Sequence, residues 1–265
     1  MFENKVTLVT GSGRGIGASI ARHFASLGSD VVVNYFRNPA SARETAESIR
    51  KLGQKALLVK ANMGEMEDIA RLFETIEKEF QGLDFFIHNA ASGYNRPVMQ
   101  QRVKGWDWTM NINARSLLFA AQRATPLMVK HGGGAIVAIS SPGAGRVLPD
   151  YVVVGASKAA IESVARYLAV ELAPQNIVVN AVSPGMVLTE ALQHFEMVRT
   201  DVHLADRAAG ITPAGRLVEP GDIAEVVAFL CSPAASMIRG QVITVDGGAS
   251  LLAPGLEKSP GSSTI

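Results

Sequence analysis

The 265-residue chain has one cysteine, Cys231, so no disulfide framework can form within it, and such usage suits a reducing compartment. Ala228, Phe229 and Leu230 before it are apolar, which reads as core packing rather than a reactive thiol. Charge of either sign is not in excess: 25 Lys and Arg face 24 Asp and Glu, for a net +1. Bulk charge therefore gives no case for a nucleic-acid or membrane-surface partner. No window reaches eighteen consecutive apolar residues, so no membrane-spanning helix is expected. The N-terminus, "MFENKVTLVTGSG", enters a strand without the charged and apolar regions of a secretion signal, and a cytoplasmic location is expected. His23, His131, His194 and His203 lack metal-ligand spacing with one another or with Cys231, so they read as surface or lid residues and no metal is expected. Only two tryptophans occur; Trp106 and Trp108 straddle both faces of a helix start, and core or subunit-interface packing is their expected role.

Hydrophobic residues are plentiful at 48%, enough for one large core or two small ones. They fall into short continuous runs separated by longer helical patterns. The runs Val6–Val9, Asp30–Tyr35, Lys55–Lys60, Asp84–His88, Ala135–Ser140, Ile177–Val182 and Gln241–Val245 read as strands. Helices are expected over Ile16–Leu27, Ala40–Leu52, Glu65–Phe80, Trp106–His131, Val152–Ala173 and Pro220–Leu230. Continuous apolar strands alternating with helices predict a single α/β domain, a Rossmann-like doubly wound parallel sheet of about seven strands, over residues 1–252. The segment from about 189 to 213 interrupts that rhythm and is the expected helical substrate lid. The Pro-, Gly- and Ser-rich tail 253–265 is expected to be disordered.

"TGSGRGIG", Thr10 to Gly17, lies between the first strand and the first helix. Glycines there let the backbone turn tightly and approach a pyrophosphate, and the helix N-terminus supplies free N–H groups. In that strand–turn–helix context an ordinary turn is the weaker alternative. Gly11, Ser12, Arg14, Gly15, Ile16 and Gly17 are the candidate cofactor contacts. An NAD site usually ends its second strand with a carboxylate for the ribose 2′-hydroxyl. This strand ends Asn34, Tyr35, Phe36, Arg37. Arg37 and Arg14 are placed instead for a 2′-phosphate, which favours NADPH over simple solvation of both side chains.

The glycine loop, "HNAA" at His88–Ala91, Asn113, Ser141, a Tyr/Lys pair and "SPGMVLT" at Ser183–Thr189 come in the order found in short-chain dehydrogenases/reductases. The resemblance spans the chain to about Leu252. It implies an NAD(P)-binding Rossmann domain, a homotetramer or homodimer, and one cleft for cofactor and substrate. It also implies adenine contact by Asn62 and Met63, ribose contact by Asn89 and Ala90, and nicotinamide contact by Pro184, Gly185 and Thr189. Ser141 would bind or orient substrate, and Asn113 would kink its helix and hold a water near Lys158 or, alternatively, satisfy buried backbone. His88 reads as cofactor-proximal packing.

One element is missing from the common pattern. The family's usual tyrosine four before the lysine is Val154, and the tyrosine is Tyr151, seven before Lys158. Tyr-x6-Lys is the pattern of the enoyl-thioester reductase branch. "NAASGYNRPVM", "WDWTMNINA" and "TPAGRLVE" further resemble the bacterial enoyl-acyl-carrier-protein reductases of type III. Where those often carry Ser-Gly-Gly, this chain has Ser183-Pro184-Gly185. The expected activity is reduction of an enoyl thioester on acyl carrier protein, with a coenzyme A thioester of secondary metabolism as an alternative carrier. A carbonyl reductase and a non-catalytic NADPH-binding protein are the other readings. Seven residues nearly complete two helical turns, so Tyr151 would share the face of Lys158 if the helix reaches back that far. Otherwise Tyr151 sits just before the helix, with Pro149 and Asp150 as entry and cap residues.

Overall fold

The structure, a computed structural model, describes residues 1–187, 208–210 and 212–252. The strands are β1 (Val6–Val9), β2 (Asp30–Tyr35), β3 (Ala56–Lys60), β4 (Phe85–His88), β5 (Gly134–Ile139), β6 (Ile177–Pro184) and β7 (Val242–Val245). The helices are α1 (Gly15–Ser26), α2 (Pro39–Lys51), α3 (Met66–Phe80), α4 (Val103–Met110), α5 (Ser116–Lys130), α6 (Val152–Glu171) and α7 (Pro220–Leu230). All strands pair in parallel in the order β3-β2-β1-β4-β5-β6-β7. The chain winds outward in both directions from β1 and β4, so the crevice beyond their carboxyl ends is where such a sheet binds ligands.

Helices cover both faces, which is why the strands lack polar alternation. Val9, Val31 and Val33 pack with Ile20, Phe24, Ile49 and Val227 of α1, α2 and α7. Leu8 and Val32, one residue out of phase, pack with Ile69, Leu72, Leu117 and Ile161 of α3, α5 and α6. Each such fully buried side chain contributes about 1.5–3 kcal/mol. At the amino end of the sheet, buried Asp84 accepts from Val6 N–H at 2.8 Å, Lys5 Nζ at 2.9 Å and His131 Nδ1 at 2.9 Å, tying β1, β4 and the end of α5 together. His131 is therefore a structural partner rather than a bystander. Among the described residues no helix is long and apolar enough to cross a membrane.

The expected helix Trp106–His131 differs in two ways. It begins earlier, at Val103, after Arg102 in extended conformation. It is also interrupted by a π-helical turn, Asn111–Arg115, between α4 and α5. Such a turn inserts one residue into the ladder and often marks a functional site. Here Ser116 Oγ donates to Ile112 O at 2.6 Å, and the Asn113 side chain is drawn out toward a neighbouring loop. β6 runs on to Pro184, two residues beyond its expected end. The tail 253–265 and most of the expected lid, with His194, Arg199, His203 and Arg207, lie outside the described residues.

Candidate active site

A cleft of about 800 Å³ opens at the carboxyl ends of β1 and β4. It brings together Gly11, Arg14, Gly15, Ile16, Gly17, Arg37, Asn62, Met63, Asn89, Ala90, Tyr151 and Lys158. Gly11 has φ +64°, which glycine adopts without penalty. Gly17 is required by space: a Cβ there would lie 2.4 Å from Asn89 Nδ2 and 2.6 Å from Gly11 O. This floor, closed to any side chain, is a cradle shaped for a pyrophosphate against the start of α1. Ser12 belongs to the loop but faces inward, donating from Oγ to Val9 O at 2.7 Å, so it braces the turn and its hydroxyl is not offered to the cleft.

Asn34, which sequence reasoning passed over, holds the loop from the other side. Its Oδ1 accepts from Gly11 N–H at 3.1 Å and its Nδ2 donates to Ala61 O at 3.1 Å. A buried polar residue at a strand end was the available signal. Among the described residues the cleft lining contains Arg14, Arg37 and Lys158 but no carboxylate. Arg37 lies over Trp108, with its guanidinium carbon 5.5 Å from the ring centroid. Trp108 therefore lines the cleft rather than the core, and its Nε1–H donates to Ser92 Oγ at 2.9 Å. Trp106 is exposed.

Tyr151 is itself the N-cap of α6, with φ −102°, and its carbonyl accepts the first helical bond from Gly155 N–H at 2.7 Å. Neither Pro149 nor Asp150 caps the helix. Asp150 instead takes a left-handed conformation, φ +59°, that turns the chain into Tyr151. The Tyr151 hydroxyl donates to Ser141 Oγ at 3.3 Å, and Ser141 Oγ also accepts from Gly143 N–H at 3.2 Å. The ring packs on Gly143, where a Cβ would come within 2.6 Å of it. Gly155 in turn leaves room for Gly143 O, which would be 2.7 Å from a Cβ. Burial pushes the Tyr151 phenol above its ordinary value, and the Ser141 bond works against that. Tyr151 is thus a neutral donor at physiological pH.

Lys158 is buried nearly two turns inside α6 and donates from Nζ to Ile139 O at 2.7 Å. Burial pushes its ammonium down to about 8, opposed by the nearby Glu162 carboxylate. Glu162 is fixed by Ser140, whose Oγ donates to Oε1 at 2.6 Å. His88, wholly buried, is pushed down to about 3 by burial and by the Lys158 charge, and is neutral. Ser116 spends its proton on Ile112 O, so His88 Nε2 carries hydrogen and donates to Ser116 Oγ at 2.7 Å. His88 Nδ1 is then a bare acceptor with no protein partner.

Asn113 satisfies buried backbone, the second of its two expected roles. Its Oδ1 accepts from Ser92 N–H at 2.8 Å, and its Nδ2 donates to Ser92 O and Ser157 Oγ, both at 2.9 Å. Both amide hydrogens are spent on holding a loop to α6, and Lys158 is not among the partners of the side chain. Pro184 ends β6 and Gly185 follows it, both outside the cleft lining, with Gly185 packed on Asp246. Thr189 lies outside the described residues.

Comparison with known proteins agrees with this architecture. A family model described as "Enoyl-(Acyl carrier protein) reductase" matches residues 11–250. The chain is 37% identical over 250 residues to a 1-cyclohexenylcarbonyl-CoA reductase of Streptomyces collinus, covering 94% of this chain and 88% of that one. It is 37% identical over 259 residues to a tetrahydroxynaphthalene reductase of Pyricularia oryzae, covering 94% and 90%. A 7α-hydroxysteroid dehydrogenase solved with NADH and 7-oxo glycochenodeoxycholic acid superposes with a TM-score of 0.86 at 32% identity, over 93% of this chain and 94% of that one. With its glycine cradle, its buried lysine and its tyrosine at the mouth of a seven-stranded parallel sheet, the chain belongs to the short-chain dehydrogenase/reductase family, in the part that the enoyl-(acyl carrier protein) reductase model describes.

Proposed function

We propose that the protein is an NADPH-dependent reductase of trans-2-enoyl thioesters, carried on acyl carrier protein or coenzyme A. The observation that carries this is the pairing of Tyr151 at the cap of α6 with a buried Val154 four before Lys158. In ketone reduction the hydride arrives at the carbonyl carbon, and an acid must meet the oxygen one bond away. In enoyl reduction it arrives at the β-carbon, and charge develops on a thioester oxygen two carbons further off. A donor set back by about 4.5 Å along the helix suits the second geometry.

The glycine cradle and the cationic lining, free of carboxylates among the described residues, fit a phosphorylated dinucleotide that would be held by Gly11–Gly17, Asn89 and Ala90, with Arg14 and Arg37 for its 2′-phosphate. When bound, that cofactor supplies the hydride. Tyr151 donates its hydrogen bond to the thioester oxygen and stabilises the enolate as charge grows there. Lys158, cationic below about pH 8, favours the same anion. In the free protein the Tyr151 hydroxyl hydrogen goes to Ser141 Oγ; when it turns to the substrate, Ser141 donates to the Tyr151 oxygen in return and so orients the donor.

Likeness to a tetrahydroxynaphthalene reductase favours a second reading, reduction of a carbonyl. NADPH oxidation with crotonyl-coenzyme A, a longer enoyl thioester and acetoacetyl-coenzyme A separates the two. Turnover of the enoyl thioesters is expected; turnover of the acetoacetyl ester alone would replace the proposal by the second reading. Arg37→Ala should weaken NADPH by about 5- to 30-fold, the worth of one charge-assisted phosphate contact of ~1–2 kcal/mol, and leave NADH nearly unchanged. Equal losses in titrations with both cofactors would remove the 2′-phosphate assignment.

A further inference from the structure

The position vacated by the usual tyrosine is closed by a loop. Val154 lines the cleft, and Gly93, in the segment after β4, lies directly against it. A Cβ at Gly93 would be 2.3 Å from Val154 Cγ2 but 3.6 Å from Val154 Cβ. The backbone at 93 therefore fills the space a longer side chain at 154 would need. The loop is held firmly on either side of this contact. Ser92 is clasped at its N–H and carbonyl by Asn113, and at its hydroxyl by Trp108. Tyr94 seats its hydroxyl on Gly105 of α4, where no side chain would fit. Arg96 N–H donates to Asp150 O at 2.8 Å, and Asp150 is the left-handed residue that aims Tyr151.

We propose that Gly93 is a positioning residue. Its seat on Val154 sets the depth of the 92–96 loop, and the loop sets Tyr151 through the Arg96–Asp150 hydrogen bond. The acid is thus held back from two sides, by the start of α6 and by a loop that blocks the nearer position. This rests on the reading of Tyr151 as the donor of the proposed reaction.

A set of variants separates positioning from general damage. Gly93→Ala lifts the loop off Val154 and should lower kcat by roughly 10-fold or more, since displacements near 1 Å at a reacting group reach 10²-fold. NADPH affinity by titration should be almost unaffected. Val154→Ala removes Cγ2 and leaves the 3.6 Å approach, an ordinary contact, while the strain of a side chain at the Gly93 φ of +158° stays, so Gly93→Ala/Val154→Ala should regain part of the rate that Gly93→Ala loses. In a Tyr151→Phe background Gly93→Ala should cost little more, because its effect runs through the missing hydroxyl. If Gly93→Ala does not fold alone, recovery of folded protein when Val154→Ala is added reports the same contact, and the Tyr151→Phe comparison is then made on the Val154→Ala background. An equal loss with and without Tyr151, or no rescue by Val154→Ala, would overturn the proposal. If Tyr151→Phe itself costs nothing, the failure lies in the donor assignment and not in the loop.

Discussion

Tyr151→Phe lowers kcat with an enoyl thioester by about 10²–10³-fold, the usual loss when one donor to a developing oxyanion is removed. NADPH affinity should be nearly unchanged, because the hydroxyl bonds Ser141 and is not part of the glycine cradle or its arginines. The fold should be unaffected as well. Tyr151 caps α6 through its backbone carbonyl, and the ring that packs on Gly143 is kept. KM should change less than kcat, since the bond strengthens as charge develops. Steady-state kinetics beside a cofactor titration make the comparison. An unchanged kcat would mean that a different group meets the substrate oxygen.

Lys158 gives the second large effect, and its sign follows from burial. The ammonium is pushed from 10.5 down to about 8, so it is cationic at pH 7 and loses its proton two to three pH units earlier than a solvated lysine. If the cation favours the enolate, kcat/KM for NADPH, which reports the free enzyme, falls as pH rises through about 8. Unfolding is not the cause of that fall. Between about 8 and 10.5 the unfolded chain binds more protons at this residue than the folded one, so this group's contribution to stability rises with pH. Lys158→Ala should cut turnover by about 10²-fold at pH 7 and flatten the limb. A limb that survives in the variant would assign the titration to another group.

The sheet was legible because burial on both faces writes a strand as a continuous apolar run, and β2, "DVVVNY", appears with its bounds unchanged. The glycine loop was legible because it combines composition with position between β1 and α1. Contacts between segments distant in sequence were not. Gly93 meets Val154, and Gly143 meets Tyr151 and Gly155, across gaps that no helical or strand period encodes. Trp108 was expected in packing because amphipathic position alone does not distinguish a core from a cleft wall. A kink at Asn113 was implied by the family resemblance; that it is a π turn over Asn111–Arg115, with the Asn113 amide bonded to Ser92 and Ser157, required the structure. The shift from Tyr at 154 to Tyr151 could be read directly; that Tyr151 is the cap itself, behind a left-handed Asp150, required the backbone.

The central claim is where the hydride goes, and it can be read from the product. The reaction is run with NADPH dideuterated at nicotinamide C4 and crotonyl-coenzyme A, and the reduced thioester is analysed by NMR. Deuterium on the β-carbon of a saturated acyl chain is the expected result. No saturated product, with deuterium appearing only on the carbinol carbon when acetoacetyl-coenzyme A is supplied, would contradict it.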